Sequence, residues 1–135
     1  MKYTQFLEAF DLPDSYYMRA LYSQSAHETG NFTSNIYRNY DNLFGMRPSS
    51  KREKYYSDVY HSPTNGDFAS YDHPINSLVD RIDLDKYNDV VRPITDQDVK
   101  QYYITITKHG YSDGEYANRV FDTYASIFPT DIPLN

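Results

Sequence analysis

The chain has 135 residues, a net charge of −6 and no cysteine. That length gives room for one core and too little for two independent ones, and the missing cysteine excludes disulfides, thiolate metal sites and cysteine nucleophiles together. The acidic balance excludes nucleic acid as an expected partner, because a phosphate backbone asks for a basic stripe and only Lys51-Arg52-Glu53-Lys54, read as a solvated loop, approaches one.

In chain order, the opening MKYTQFLEAF carries one lysine and no long apolar run. Neither a signal peptide nor a membrane span is expected there, so a target outside the cytoplasm implies delivery by another route. A short helix is predicted over Thr4 to Phe10. Asp11-Leu12-Pro13-Asp14 then reads as a second helix start, with aspartates and a proline where first-turn positions favour them. Tyr17, Leu21, Gln24 and Glu28 recur at helical spacing, and Gly30 is the natural stop. Asn35 to Met46 reads as a turn-rich aromatic connection. Strands are predicted at Lys54 to Tyr60 and Asp67 to Tyr71, joined by His61-Ser62-Pro63-Thr64-Asn65-Gly66, whose Asn-Gly signals a hairpin. Three helices follow: Pro74 to Tyr87, with Ile75, Leu78, Val79 and Ile82 on one face; Asp96 to His109; and Asp113 to Phe128. Helices around one small hairpin make a mainly helical α+β domain, taken as a single domain over 1–135.

Sixteen tyrosines and seven phenylalanines, without tryptophan, supply much of the apolar area. Tyrosine rings pack while their hydroxyls seek polar partners; such rings serve equally as core and as platforms for sugars.

Glu28 is the residue whose position asks for an explanation. At about 100° per residue it falls within roughly 20° of both Tyr17 and Leu21 on the helix wheel, so it projects from the inward face. Desolvation raises a carboxyl's pKa, and the unsatisfied carbonyls of a last helical turn act in the same direction. A carboxylic acid held protonated is what general-acid catalysis requires. The structural alternative is a glutamate paired with an arginine such as Arg38 or Arg47, or turned into solvent. His27 lies about 100° away and is expected to be exposed. His27, His61, His73 and His109 have no ligand-like spacing, no serine lies in a nucleophile elbow, and no glycine-rich phosphate loop exists; no metal and no cofactor is expected.

His27-Glu28-Thr29-Gly30-Asn31-Phe32, followed by Tyr40-Asp41-Asn42-Leu43-Phe44-Gly45-Met46, resembles the autolysin-type endo-β-N-acetylglucosaminidases of glycoside hydrolase family 73. Phe68-Ala69-Ser70-Tyr71-Asp72 is similar to the family's aromatic strand, and Gly110-Tyr111-Ser112-Asp113-Gly114-Glu115-Tyr116-Ala117 to its late Gly-Tyr and Tyr-Ala motif. The resemblance implies a lysozyme-like α+β fold and a hydrolase of peptidoglycan glycan strands. It also implies Glu28 as catalytic acid, Tyr111 and Tyr116 near the cleft, and Asn42, Leu43, Phe44 and Gly45 as the cleft floor. Tyr116 is taken into the catalytic set, its hydroxyl aimed at the acid or at an N-acetyl group, the alternative being a core ring with a satisfied hydroxyl. Gly45 would allow backbone to approach sugar closely, whereas Leu43 and Phe44 are expected as buried supports. Asp41 departs from the family's neutral residue there and adds a carboxylate beside the floor, so the substrate-binding set is Asp41, Asn42, Gly45 and Tyr111.

Family members often carry a second acidic residue in the hairpin region. Among Glu53, Asp58 and Asp67 the choice falls on Asp58, which alternates with aromatic neighbours, because Asp67 follows Asn65-Gly66 and suits a turn. Inverting enzymes hold two carboxyls about 6.5–9.5 Å apart and retaining ones about 5–5.5 Å apart, while substrate assistance by a 2-acetamido group needs no second carboxylate. A lytic transglycosylase could also run on one glutamate. The expected partner is a peptidoglycan glycan strand, with no nucleic acid and no membrane, and other virion or lysis proteins would accompany a phage-borne lysin acting on the wall. The alternative from another class is a non-catalytic glycan-binding or virion structural module on the same fold.

Overall fold

The computed structural model describes residues 1–110 and 114–129. Six helices and one hairpin follow in the order α1 (Tyr3–Ala9), α2 (Tyr16–Glu28), α3 (Asn35–Arg38), β1 (Asp58–Ser62), β2 (Gly66–Ser70), α4 (Pro74–Tyr87), α5 (Asp96–Lys108) and α6 (Tyr116–Ile127). This is the mainly helical α+β arrangement expected of a lysozyme-like domain.

The second helix starts later than the Asp11–Asp14 segment suggested. Ser15 is its N-cap, accepting the Met18 amide at 3.0 Å, which satisfies one of the otherwise orphaned first-turn donors. Asp14 works from outside the helix, accepting the Tyr3 hydroxyl at 2.7 Å and pairing with Arg19 at 2.8 Å. From there α2 runs through the centre of the molecule and packs on α5 and α6. Its residues from Tyr17 to Ala26 are buried except for Arg19.

The end of α2 aims the chain into the next segment. Gly30, Asn31 and Phe32 all have positive φ, at 55, 58 and 66°, a conformation L-residues adopt only when held there. Thr29 holds it: its hydroxyl donates to the Ser25 carbonyl at 2.7 Å and accepts the Phe32 amide at 2.8 Å. Phe32 is thereby tucked under Tyr22 and Tyr37.

The hairpin is antiparallel, with Val59 opposite Ala69, Tyr60 opposite Phe68 and Ser62 opposite Gly66. Its first strand lies four residues later than predicted at its start and runs two further, to Ser62. Residues 51–55 form turns instead, and the Asn65-Gly66 step closes the loop with Gly66 at φ +79°. Alternation sends Ala69 into the core and leaves Tyr60 and Phe68 on the other face.

Helix α4 has the predicted bounds but not the predicted buried face. Leu78 is buried, whereas Val79 is 41% exposed. The buried side chains include Ser77, Asp80, Arg81 and Asp85, so this helix turns a polar stripe inward. Burial of such groups is tolerable only where partners meet them. The tyrosine-rich composition supplies several: Tyr17 and Tyr102 donate to Asp85, and Tyr71 donates to Asp80. Buried Tyr103 and Tyr124 find Ala20 carbonyl and Asp96 in the same way.

Candidate active site

A cleft of about 970 Å³ runs between the end of α2, the 44–47 turn and the hairpin. Tyr60 and Phe68, half-buried cross-strand partners, supply an aromatic wall. Tyr40 extends it by stacking on Tyr60, ring centres 4.1 Å apart and 14° from parallel. Arg47 lies over the Phe68 ring at 4.1 Å and donates to the Asp67 carbonyl at 3.0 Å, which stiffens the wall and leaves Arg47 turned to the hairpin. Arg52 is anchored to the buried Asp80 at 2.6 Å.

Glu28 lines the cleft floor, and among the described residues it is the one carboxylate that does so. Its two oxygens have different surroundings. Oε1 accepts a hydrogen bond from the Tyr116 hydroxyl, carried by the first turn of α6. Oε2 faces Gly45, where a Cβ would lie 3.1 Å from it. Gly45, at φ +66°, therefore sets no side chain against that oxygen, in a conformation that glycine adopts without penalty. Burial lifts the Glu28 carboxyl above the ordinary carboxylate range, with the Tyr116 hydroxyl and the charges of Arg81 and Arg119 acting against it. The inward position read from the helix wheel thus has the electrostatic consequence expected of it.

Behind Tyr116 the polar stripe of α4 becomes intelligible. Tyr116 accepts from Gln24 Nε2 at 3.1 Å, and Gln24 Oε1 accepts from Arg81 Nε at 3.1 Å. Arg81 is fully buried, donating to Asp85 Oδ1 at 2.6 Å and to the Tyr102 hydroxyl at 2.7 Å. Gln24, Arg81 and Asp85 were missed as site residues by the sequence reading. The available signals were that Gln24 precedes Glu28 by four residues on the same helix face and that Arg81 and Asp85 are four apart on another.

The other anticipated residues divide. Tyr116 is 3% exposed and touches Glu28 directly, and Gly45 borders its carboxyl. Leu43 and Phe44 are fully buried, as supports should be. Asn42 is also fully buried, which corrects its assignment to substrate: its amide donates to the Met46 and Ala69 carbonyls at 3.0 and 2.9 Å and its oxygen accepts the Met46 amide at 3.1 Å. It staples the 42–46 turn to β2 and so fixes Gly45. Asp41 does not line the cleft with Glu28; it occupies a left-handed turn position at φ 54°, its carboxyl raised by burial, with His73 lowering it and Asp72 raising it further. Asp58 is exposed at the first position of β1, its carboxylate taken up by the Val59 amide at 2.8 Å, and is likewise not brought to the cleft. Tyr111 lies outside the described residues.

His27 is not the exposed residue the helix wheel suggested. It is half-buried, edge-on to Tyr116 with ring centres 5.8 Å apart, and burial together with Arg119 lowers its pKa. Among the described residues no group of histidines and carboxylates could hold a metal ion.

A family profile described as mannosyl-glycoprotein endo-beta-N-acetylglucosaminidase matches residues 6–127. No curated protein and no solved structure matches the chain.

Proposed function

We propose, for a chain that belongs to the mannosyl-glycoprotein endo-beta-N-acetylglucosaminidase family and is a glycosidase acting on peptidoglycan glycan strands, that it cuts on the C1 side of N-acetylglucosamine with Glu28 as general acid. The observation that carries this reading is the Glu28 carboxyl on the cleft floor, the one carboxylate there among the described residues, half-buried, raised in pKa, and with only the glycine at position 45 beside its Oε2.

The chemistry follows from that arrangement. Protonated Glu28 gives its proton to the glycosidic oxygen as the bond to C1 breaks, which turns a poor alkoxide leaving group into an alcohol. With no second carboxylate among the described cleft residues, the carbonyl oxygen of the sugar's own 2-acetamido group closes on C1. Water then opens the resulting oxazolinium ring at C1, and Glu28, now a carboxylate, takes the water's proton and is restored. Tyr116 holds Oε1 throughout and stabilises the carboxylate formed between the two steps. Tyr60 and Phe68 suit the apolar faces of flanking sugars.

The test is the identity and configuration of the released end. Digestion of purified peptidoglycan should give reducing N-acetylglucosamine ends, and proton NMR of the first product should show the β-anomer. An initial α-anomer would replace substrate assistance with inversion. Anhydro-muramyl ends would favour the second reading, a lytic transglycosylase, which also runs on a single glutamate.

A further inference from the structure

The hydrogen bonds behind Glu28 have a direction, and the direction begins at Arg81. A guanidinium can only donate, so the Gln24 atom facing Arg81 Nε at 3.1 Å is the carbonyl oxygen. That fixes the amide, and the Gln24 NH2 group must face Tyr116, donating to its hydroxyl oxygen at 3.1 Å. The phenol's one hydrogen is then directed to Glu28 Oε1. An oxygen that already accepts this bond is the poorer seat for the acid proton, which leaves Oε2, the oxygen beside Gly45. Arg81 is itself held from the far side by Asp85 and Tyr102, with Tyr17 also donating to Asp85 at 2.7 Å.

We propose that Gln24 and Arg81 are positioning residues: acting through Tyr116, they place the transferable proton of Glu28 on the cleft-facing Oε2 rather than on Oε1. The inference rests on the reading of Glu28 as general acid. Neither residue lines the cleft, and both are fully buried, so neither can touch substrate. The chain connects α2, α4 and α6, which makes the orientation of one proton a property of how three helices pack.

Two variants separate this role from a merely structural one. Gln24→Glu retains the size and the acceptor for Arg81 but offers a second acceptor to Tyr116, turning the phenol hydrogen away from Glu28. Glu28 then loses a stabilising donor and gains an anionic neighbour, so its carboxyl rises further. Among the described residues the charged and titratable groups around it are Tyr116 and Arg119 on α6, Arg81 on α4, His27 on its own helix, and Arg47, Arg52, Tyr60 and His109 along the cleft. None of these other groups is altered by the substitution. The expected result is a kcat lower by about tenfold to a hundredfold, an unchanged KM, and a basic limb of the kcat profile moved upward by about one pH unit. Gln24→Met, combined with Tyr116→Phe in a double-mutant cycle, should cost no more than Tyr116→Phe alone, because Gln24 works through that hydroxyl.

Wild-type kcat and pH profile in folded Gln24→Glu would overturn the proposal, as would losses that multiply in the cycle. Should Gln24→Met fail to fold, Gln24→Glu decides by its pH profile. Full activity of Glu28→Gln would remove the general acid and this inference with it. An inactive Glu28→Gln beside unaltered Gln24 variants would overturn this inference alone.

Discussion

A methyl group added at Gly45 would stand 3.1 Å from Glu28 Oε2 and 3.9 Å from its Cδ, on a residue with φ +66°. Gly45→Ala therefore carries two separable costs. Holding an L-residue in the left-handed region costs about 1–2 kcal/mol. The carboxyl must also give way by a few tenths of an ångström, and it cannot do so without disturbing its bond from Tyr116. Gly66 provides the control. Its φ of +79° imposes the same backbone cost, but an added Cβ would meet only Arg47 Nη1 at 3.4 Å, and Gly66 does not line the cleft. Both alanine variants should lower Tm by roughly 4–8 °C, at about 4 °C per kcal/mol for a domain of this size. Only Gly45→Ala should lose turnover. A misplacement of about 1 Å costs about a hundredfold, so a few tenths of an ångström corresponds to a roughly fivefold to tenfold fall in kcat. Thermal unfolding by circular dichroism and kcat on solubilised peptidoglycan read the two costs independently. Wild-type turnover in Gly45→Ala, or equal losses in both variants, would refute the assignment of Gly45 as the opening onto Oε2.

Asn42→Ala removes the staple of the 42–46 turn, three buried hydrogen bonds to the Met46 amide and to the Met46 and Ala69 carbonyls; urea denaturation should show a loss of about 2–4 kcal/mol. Glu28→Gln should be more stable than wild type at neutral pH. The folded carboxyl binds its proton more tightly than the unfolded one, so wild-type stability falls as pH rises from the ordinary carboxylate range through the raised folded value. A neutral glutamine escapes that loss, and the difference in Tm should close as pH drops below the ordinary range. Asp58→Asn should keep activity and change stability by no more than about 0.5 kcal/mol, since Asp58 is exposed and not among the cleft residues; a loss of several hundredfold in a digestion assay would restore Asp58 as a second catalytic group.

Local signals served the sequence reading where the structure is local. Pro74 at the first helical position and Gly30 as a stop placed α4 and the end of α2 correctly, because both depend on neighbours within a few turns. Helix α2, by contrast, is buried nearly all round from Tyr17 to Ala26 and has no single inward stripe. The turn residues located the hairpin, although the strand bounds shifted because residues 51–55 form turns rather than a strand extension. What remained illegible is long-range polar convergence. Tyr116 at the cleft followed from the family resemblance alone, and Arg81, which meets Gln24 across 57 residues, carried no local signal of that contact. Apolar periodicity alone assigned Val79 to the buried face of α4, because burying Arg81 is unfavourable until Gln24, Asp85 and Tyr102 are assembled around it. Asn42 was misread for a related reason: a polar residue in a floor loop looks like a sugar contact until its carbonyl and amide partners are seen to use it fully.

The most direct test of the central claim is digestion of purified peptidoglycan by wild type and Glu28→Gln, with mass spectrometry of the released ends and circular dichroism of both proteins. Reducing N-acetylglucosamine ends from wild type, and a rate about 10²–10⁴-fold lower from a fully folded Glu28→Gln, are the expected result. Comparable release by a folded Glu28→Gln would contradict it and return Glu28 to a structural role.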